Sequence, residues 1–273
     1  MPQIYVDLIR HGHSCSNLAQ DLAVDLKGRG LHNLAGLYYK FVENDPELSS
    51  LGLEMAVGVE RDIRENNPQG LVNPCSDDEG KKCPDYLYSS PLRRAIETAH
   101  TMWDTQPIRI APYLLEHGIG HENVPLHREE QKSRLLARYP DLDNKLIQPT
   151  VDSRAPRSRQ SPKTPDAYKT TGNLNKFIEW LQDDLGQLST TNGDIFVSVV
   201  THSILMRGNL GLSEKPNNQP IYRLSWDINT WNTQKGLQIK GRATKLYNGR
   251  RVDRKDLARG KEASKHCDWY GKF

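Results

Sequence analysis

The chain has 273 residues, of which 36% are hydrophobic, and its formal net charge is +3 at neutral pH. A chain of this length can bury a full core without disulfide or metal cross-links. No apolar stretch approaches the roughly 18 residues that a membrane span requires. The first predicted strand begins at Ile4 and leaves no room for a secretory leader. We therefore expect a cytoplasmic protein with no membrane partner.

Basic residues are concentrated at the C-terminal end. Residues 241–273 contain ten Lys and Arg against four Asp and Glu, so we predict a main domain over residues 1–240 followed by a basic C-terminal extension. Such a segment can bind nucleic acid or an anionic surface. A solvated terminus is the commoner explanation, and we do not expect a nucleic-acid partner.

The four cysteines are Cys15, Cys75, Cys83 and Cys267. Their spacing matches no zinc-binding pattern. Cys75 and Cys83 flank an acidic loop and could form a disulfide in an oxidising compartment, whereas a cytoplasmic location favours free thiols. We expect free thiols and assign no catalytic role to Cys15.

Predicted strands and helices alternate along the chain. Strands are predicted at residues 4–9, 86–88, 108–115, 194–200, 221–226 and 237–239. Helices are predicted at residues 49–65, 91–103, 128–139 and 173–188, and another follows residue 202. Polar insertions are predicted at residues 18–47, 66–84 and 150–170. The alternation predicts an α/β fold, a three-layer α/β/α sandwich around a mostly parallel sheet.

Charged and titratable side chains follow four of the predicted strands. Ligands of open α/β sheets bind at the carboxyl ends of the strands, so we expect these side chains to form one pocket. A guanidinium group can bind two phosphate oxygens, and a neutral imidazole can attack phosphorus. The set therefore predicts a phosphoryl-transfer site that needs no metal. Its members, in chain order, are Arg10, His11, Arg93, Arg94, Glu116 and His202.

The same residues belong to four motifs. They read Arg-His-Gly-His-Ser-Cys-Ser-Asn at residues 10–17, Ser-Ser-Pro-Leu-Arg-Arg-Ala-Ile-Glu-Thr-Ala at 89–99, Leu-Glu with Gly120 at 115–120, and Val-Thr-His at 200–202. In sequence and order they resemble the signatures of the histidine phosphatase superfamily, in the branch that includes cofactor-dependent phosphoglycerate mutase. The resemblance implies a phosphoglycerate mutase-like fold and a catalytic domain over residues 1–240.

The resemblance also implies a role for each matched residue. His11 is expected to be the nucleophile that becomes phosphohistidine, and Arg10 and Arg94 are expected to bind the phosphoryl oxygens. His202 would donate a hydrogen bond to the same group as negative charge develops on it. Glu116 would protonate the leaving oxygen and then activate the hydrolytic water.

Other residues of the motifs are less clearly assigned. Asn17 ends the first motif and is expected to bind phosphate. Arg93 is expected to be a solvated helix residue, because Arg94 holds the matching position. His13 stands where mutases of this family carry Glu, which puts mutase activity in doubt, and we leave open whether it lines the mouth of the pocket. Surface loop positions are expected for His117, His121 and His127.

The leading hypothesis is a metal-independent phosphomonoesterase without a cofactor. It would act on a small phosphorylated metabolite or phosphopeptide, best on the acid side of neutral because Glu116 must hold a proton. The alternatives are a phosphoglycerate mutase-type transferase, a zinc hydrolase in which His11, His13 and His202 bind the metal, and a phosphate-binding protein without activity. The basic insertion at 150–170 suggests a substrate with more than one anionic group.

Overall fold

One seven-stranded sheet runs through the computed structural model, which describes residues 1–32, 44–66, 83–118, 120–147, 166–188, 193–252, 255–256 and 267. Its strands are β1 (Gln3–Arg10), β2 (Tyr86–Ser89), β3 (Ile108–Ile110), β4 (Leu146–Ile147), β5 (Ile195–Thr201), β6 (Ile221–Asp227) and β7 (Thr244–Tyr247). Their order across the sheet is β4-β3-β2-β5-β1-β6-β7. Neighbouring strands pair in parallel from β4 to β1, and β6 pairs antiparallel with β1 and with β7.

The central pair of strands, β1 and β5, sets the geometry of the site. Both are rich in apolar residues and almost entirely buried, as parallel strands are when helices cover both faces of a sheet. Their register places Ile4 opposite Ile195 and Arg10 opposite Thr201. Consequently the residues that follow the two strands, His11 and His202, lie next to each other.

Helices cover both faces of the sheet. They are α1 (Cys15–Gly28), α2 (Ser50–Asn66), α3 (Arg93–Met102), α4 (Arg128–Arg138), α5 (Leu174–Leu185), α6 (Ser203–Leu210) and α7 (Ile228–Thr233). On one face α5, α6 and α7 pack against the side chains of Ile4, Val6 and Leu8, and on the other face α2 and α3 pack against Leu87 and Val200. This arrangement confirms the predicted three-layer α/β/α sandwich. Among the described residues no helix is both long enough and apolar enough to span a membrane.

Two strand predictions need correction. Residues 237–239 form no strand: their apolar side chains enter the core, but the last strand of the sheet is β7. The strand predicted at 108–115 ends at Ile110. Pro112 has no N–H to donate to a neighbouring strand, which accounts for this early end.

The predicted insertions at 66–84 and 150–170 lie largely outside the described residues, which do not include 67–82 and 148–165. Of the first predicted insertion, at 18–47, residues 33–43 lie outside them. The start of the first insertion instead continues α1 as far as Gly28. The C-terminal segment supplies β7 and Cys267. The described part of that segment is therefore attached to the domain that we predicted to end at residue 240.

The expectation of free thiols is wrong for three cysteines. Cys15, the first residue of α1, forms a disulfide with Cys267, and their Cα atoms are 5.7 Å apart. Both side chains are buried in a small apolar cluster with Leu18 and Leu22. Cys83 is also disulfide-bonded. Spacing along the sequence does not reveal the first pairing, because the two cysteines are separated by 252 positions.

We predict that Cys267→Ser lowers the free energy of unfolding by roughly 2–5 kcal/mol, because the disulfide closes most of the chain into one loop. Urea unfolding without reductant measures the loss. A Cys15→Ser/Cys267→Ser double variant is the control, since both changes remove the same bond and their effects should not add. Full labelling of both thiols in unreduced, denatured wild-type protein would contradict the prediction.

Candidate active site

Three motifs meet at the carboxyl ends of β1, β5 and β2, which are adjacent strands. The backbone N–H of His11 donates to the carbonyl of Thr201 over 2.9 Å, and that of Ser90 donates to the carbonyl of Val200 over 2.9 Å. These bonds extend the strand pairing by one residue into the loops. The side chains of the motifs therefore lie close together, as we predicted from their positions directly after the strands.

The neutral tautomer of His11 follows from its two hydrogen-bond partners. Its Nδ1 lies 2.6 Å from the carbonyl oxygen of Gly12, which can only accept, so Nδ1 carries the proton. Nε2 then holds the lone pair, and the Nε–H of Arg94 donates to it over 3.3 Å. The ring is buried, and its nucleophilic nitrogen points at a guanidinium group.

The environment of His11 also disfavours the charged ring. Its pKa lies well below the usual range, first because burial penalises the imidazolium and then because Arg94, His202 and Arg10 are nearby. The backbone contact to Gly12 opposes this shift only in part. His11 therefore stays neutral near physiological pH, which is the state that can attack an electrophile.

Two buried guanidinium groups flank His11 without a carboxylate in direct contact. Within the described residues neither forms an ion pair: Arg94 donates to the carbonyl of Glu122 over 2.6 Å and to Oδ1 of Asn123 over 2.9 Å, and Arg10 donates to the carbonyl of Pro216 over 2.9 Å. The buried Nε of Arg10 has no hydrogen-bond partner among them. Burying cations without a counter-ion is costly, so this pocket favours an anion.

The pKa values of both arginines reflect this burial. Burial lowers the pKa of Arg10 to about 10, and the nearby carboxylate of Glu116 partly offsets the shift. Burial also lowers the pKa of Arg94, while Asp45 and Glu116 raise it. Both guanidinium groups still carry their charge at neutral pH.

His202 is fully buried beside His11, with 5.0 Å between the ring centroids. Its Nε2 lies 2.7 Å from the hydroxyl of Ser90, and its Nδ1 has no hydrogen-bond partner in the described part of the chain. Burial, Arg94 and Arg10, in that order, hold the pKa of His202 well below the usual range. A neutral ring can donate one hydrogen bond, from whichever nitrogen carries the proton.

Glu116 is half-buried and faces the start of α6. Its carboxylate accepts the backbone N–H groups of Leu205 over 2.9 Å and of Ile204 over 3.2 Å. Such a contact stabilises a carboxylate at a helix N-terminus. Glu116 is close enough to Arg10 and Arg94 to raise the pKa of both. Both of its carboxylate oxygens are engaged by backbone N–H groups at the start of α6.

Asn17 and Ser14 form a capping box at the start of α1. The backbone N–H of Ser14 donates to Oδ1 of Asn17 over 3.2 Å, and the backbone N–H of Asn17 donates to the Ser14 hydroxyl over 3.2 Å. The helix start therefore occupies the oxygen of Asn17. Any contact with a phosphate would use its amide nitrogen.

His13 is buried and connects the first motif to α1 and α2. Its Nδ1 lies 2.9 Å from the hydroxyl of Ser49, and its Nε2 lies 3.0 Å from Oδ2 of Asp21. A Cβ atom on Gly52 would lie 2.0 Å from the carbonyl oxygen of His13, so only glycine fits there. With both nitrogens engaged in this way, His13 does not join His11 and His202 as a set of metal ligands among the described residues.

Two hydroxyl groups that were not predicted from the sequence hold the motifs in position. Thr98 accepts the backbone N–H of Gly12 over 2.9 Å and donates to the carbonyl of Arg94 over 2.7 Å, so it ties the first motif to α3. The hydroxyl of Ser90 lies 2.7 Å from Nε2 of His202 and so connects the second motif to the last one. Both residues lie in the second motif, and its match over the whole run 89–99 is the only signal that could have indicated them.

The expectation that Arg93 is solvated is wrong. Its guanidinium is buried, forms an ion pair with Glu47 and donates from Nε to the carbonyl of Asp45 over 2.8 Å. Its neighbour Arg94 turns the other way, into the site. The expectation for His117, His121 and His127 agrees with the structure, which exposes all three.

No protein-family model and no curated protein matches this chain. Solved structures do match it. A protein described as mycobacterial hydrolase 2 is 16% identical, with 97% of this chain and 100% of that one covered and a TM-score of 0.50. A mycobacterial glucosyl-3-phosphoglycerate phosphatase is 16% identical, with 91% of this chain and 100% of that one covered and a TM-score of 0.45. A phosphoglycerate mutase from Bacillus anthracis is 15% identical, with 95% of this chain and 97% of that one covered and a TM-score of 0.41. At these identities the likeness concerns the fold, and it agrees with the architecture that the motifs implied.

A buried carboxyl group behind the site leads to a stability prediction. Glu97 accepts the backbone N–H of Leu48 over 2.7 Å, and burial raises its pKa to about 7, against the opposing effects of Arg138 and Arg93. The folded protein therefore keeps a proton that the unfolded chain loses above its ordinary pKa of 4.5. Stability should fall as the pH rises from below 4.5 through about 7, where the folded state also ionises.

We expect Glu97→Gln to flatten this pH dependence, by roughly 1–3 kcal/mol between acidic and neutral solution, because the amide keeps the shape and the acceptor but cannot ionise. Urea unfolding of both proteins at several pH values measures it. Glu130→Gln is the control, since Glu130 is exposed and forms a surface ion pair with Arg134. An unchanged profile in Glu97→Gln would contradict the prediction.

Proposed function

We propose that the protein is a metal-independent phosphomonoesterase of the histidine phosphatase superfamily, acting through a phosphohistidine on His11. The observation that supports this best is the pair of buried guanidinium groups, Arg10 and Arg94, beside a neutral imidazole whose Nε2 carries the lone pair. A dianionic phosphoryl group supplies the charge that these cations lack. The order of the four motifs supports the same assignment.

In the first step the phosphoryl group lies between Arg10 and Arg94. Its arrival displaces the Nε–H of Arg94 from Nε2 of His11, whose lone pair then forms the bond to phosphorus while the bond to the ester oxygen breaks. Glu116 gives its proton to the leaving oxygen. For this the Glu116 carboxyl group has to give up at least one of its contacts with the backbone N–H groups of Leu205 and Ile204.

In the second step a water molecule attacks the phosphohistidine. Glu116 takes the proton from that water, the nitrogen–phosphorus bond breaks, and inorganic phosphate leaves with His11 neutral again. His202 donates a hydrogen bond to the phosphoryl oxygens as charge builds up in both steps. The amide nitrogen of Asn17 is the further donor proposed for the phosphate.

Phosphoglycerate mutase-type transfer is the alternative inside the same superfamily. It needs the phosphohistidine to be passed to a second substrate hydroxyl instead of water. Both reactions take a small phosphorylated molecule or a phosphopeptide as partner. The cytoplasmic location remains a prediction, and the disulfides argue for an oxidising compartment instead, since such bonds are rare in a reducing one.

We predict that the protein releases p-nitrophenol from p-nitrophenyl phosphate in the presence of EDTA and that His11→Ala reduces kcat by at least about 1,000-fold. His127→Ala is the matched control, because His127 is exposed and precedes α4.

Loss of activity on adding EDTA would favour the metal hydrolase. Equal activity in wild type and His11→Ala would eliminate the phosphohistidine. Transfer of phosphate to a second hydroxyl compound, with little release to water, would identify the mutase.

A further inference from the structure

The loop that carries Glu116 contains an unfavourable backbone conformation. Tyr113, three residues before Glu116, has a φ of 63°, in the left-handed region that glycine favours. A bulky side chain adopts this conformation only where the surrounding structure enforces it, and such positions cluster at functional sites. The contacts that hold Tyr113 therefore bear on the position of Glu116.

One short segment, residues 170–173, engages both backbone groups of Tyr113. The N–H of Tyr113 donates to the hydroxyl of Thr170 over 2.7 Å, and its carbonyl accepts the N–H of Asn173 over 2.8 Å. The hydroxyl of Thr170 in turn donates to the carbonyl of Ala167 over 3.3 Å. With its proton used in this way, the Thr170 oxygen acts as an acceptor for Tyr113. The segment thus holds Tyr113 in its unfavourable conformation.

Gly172, within that segment, packs against the neighbours of Glu116 on both its backbone side and its carboxylate side. A Cβ atom on Gly172 would overlap the carbonyl oxygen of Leu115 and would lie 3.0 Å from Cδ1 of Leu205. Leu115 is the residue bonded to Glu116, and the backbone N–H of Leu205 donates to the Glu116 carboxylate over 2.9 Å. One buried glycine therefore limits how the Glu116 backbone and the start of α6 lie relative to each other.

The Glu116 loop is also attached to the phosphoryl site itself. Thr201, the residue before His202, donates from its hydroxyl to the carbonyl of Leu114 over 3.2 Å. The N–H of Leu174, directly after the 170–173 segment, donates to Oδ1 of Asn209 in α6 over 3.2 Å. The loop is thus held between the end of β5 and a segment that is itself attached to α6, so its distance from the site depends on both.

We propose that Thr170 and Gly172 are positioning residues for proton transfer by Glu116. They hold the Glu116 loop and the start of α6 at the separation from which the carboxyl group can exchange a backbone N–H contact for the leaving oxygen of the substrate. They act through Glu116 and do not contact the reacting atoms. This inference rests on the phosphatase mechanism proposed above and identifies the residues that place its general acid.

The test compares two esters that differ in how much their leaving oxygen needs a proton. p-Nitrophenoxide leaves readily as an anion, whereas the alkoxide of 2-phenylethanol does not, so 2-phenylethyl phosphate depends on the general acid. The measured quantity is kcat/KM, which includes formation of the phosphohistidine but not its hydrolysis. We expect Glu116→Gln to lower kcat/KM at least about 100-fold for 2-phenylethyl phosphate and much less for p-nitrophenyl phosphate.

Thr170→Val should reproduce this pattern on a smaller scale, because it removes the hydroxyl that binds Tyr113. We expect a loss of about five- to tenfold in kcat/KM on 2-phenylethyl phosphate and of less than about twofold on p-nitrophenyl phosphate. Gly172→Ala should give a larger selective loss. The controls are Thr233→Val, at an exposed position where the hydroxyl contacts only its own helix, and Gly58→Ala in α2, where a Cβ meets no atom within 4 Å.

A double variant separates positioning from a general effect on the fold. In the Glu116→Gln background Thr170→Val should cause no further loss, because the acid that it positions is absent. An equal loss on both esters, no loss on either, or a loss that persists in that background would overturn the proposal while leaving the phosphatase intact. Failure of the wild type to hydrolyse either ester would instead overturn the proposed function, and an equal effect of Glu116→Gln on both esters would overturn the role of Glu116; this inference would fall with either.

Discussion

Two buried guanidinium groups without a contacting carboxylate are the feature on which the rest of the site depends. A buried cation normally has an anionic partner, because the loss of hydration costs several kcal/mol. Arg10 and Arg94 have only neutral hydrogen-bond acceptors within the described residues. Burial first, and then the same charges, lower the pKa of His11 and favour its neutral form. One arrangement thus both favours a bound anion and, in the proposed mechanism, keeps the nucleophile in its reactive neutral form.

The two adjacent arginines of α3 show how the fold maintains this arrangement. Arg93 is neutralised inside the protein by Glu47 and by contacts with Asp45, whereas Arg94 is directed at His11. Thr98, one turn further along the helix, fixes the loop of the first motif against it. The helix therefore directs one arginine, Arg93, into the protein interior, where carboxylates neutralise it, and the next, Arg94, into the site, where a ligand can contact it.

The sequence was sufficient to predict the class of fold, because apolar strands alternate with helices. It was also sufficient to predict that the strand ends meet at one site, because reactive residues follow the strands. It could not assign Arg93, since the carboxylates of Asp45 and Glu47 come from a segment that no local pattern links to α3. It also could not reveal the bond between Cys15 and Cys267, which lie at opposite ends of the chain. Tertiary contacts of this kind leave no periodic signal.

In the proposed mechanism His11 carries the phosphoryl group during turnover. Rapid quenching of the enzyme with ³²P-labelled substrate should therefore give a covalent label that is stable in alkali, is lost in acid and resides on the peptide that contains His11. Turnover without any covalent label, or a label on a different peptide, would contradict it.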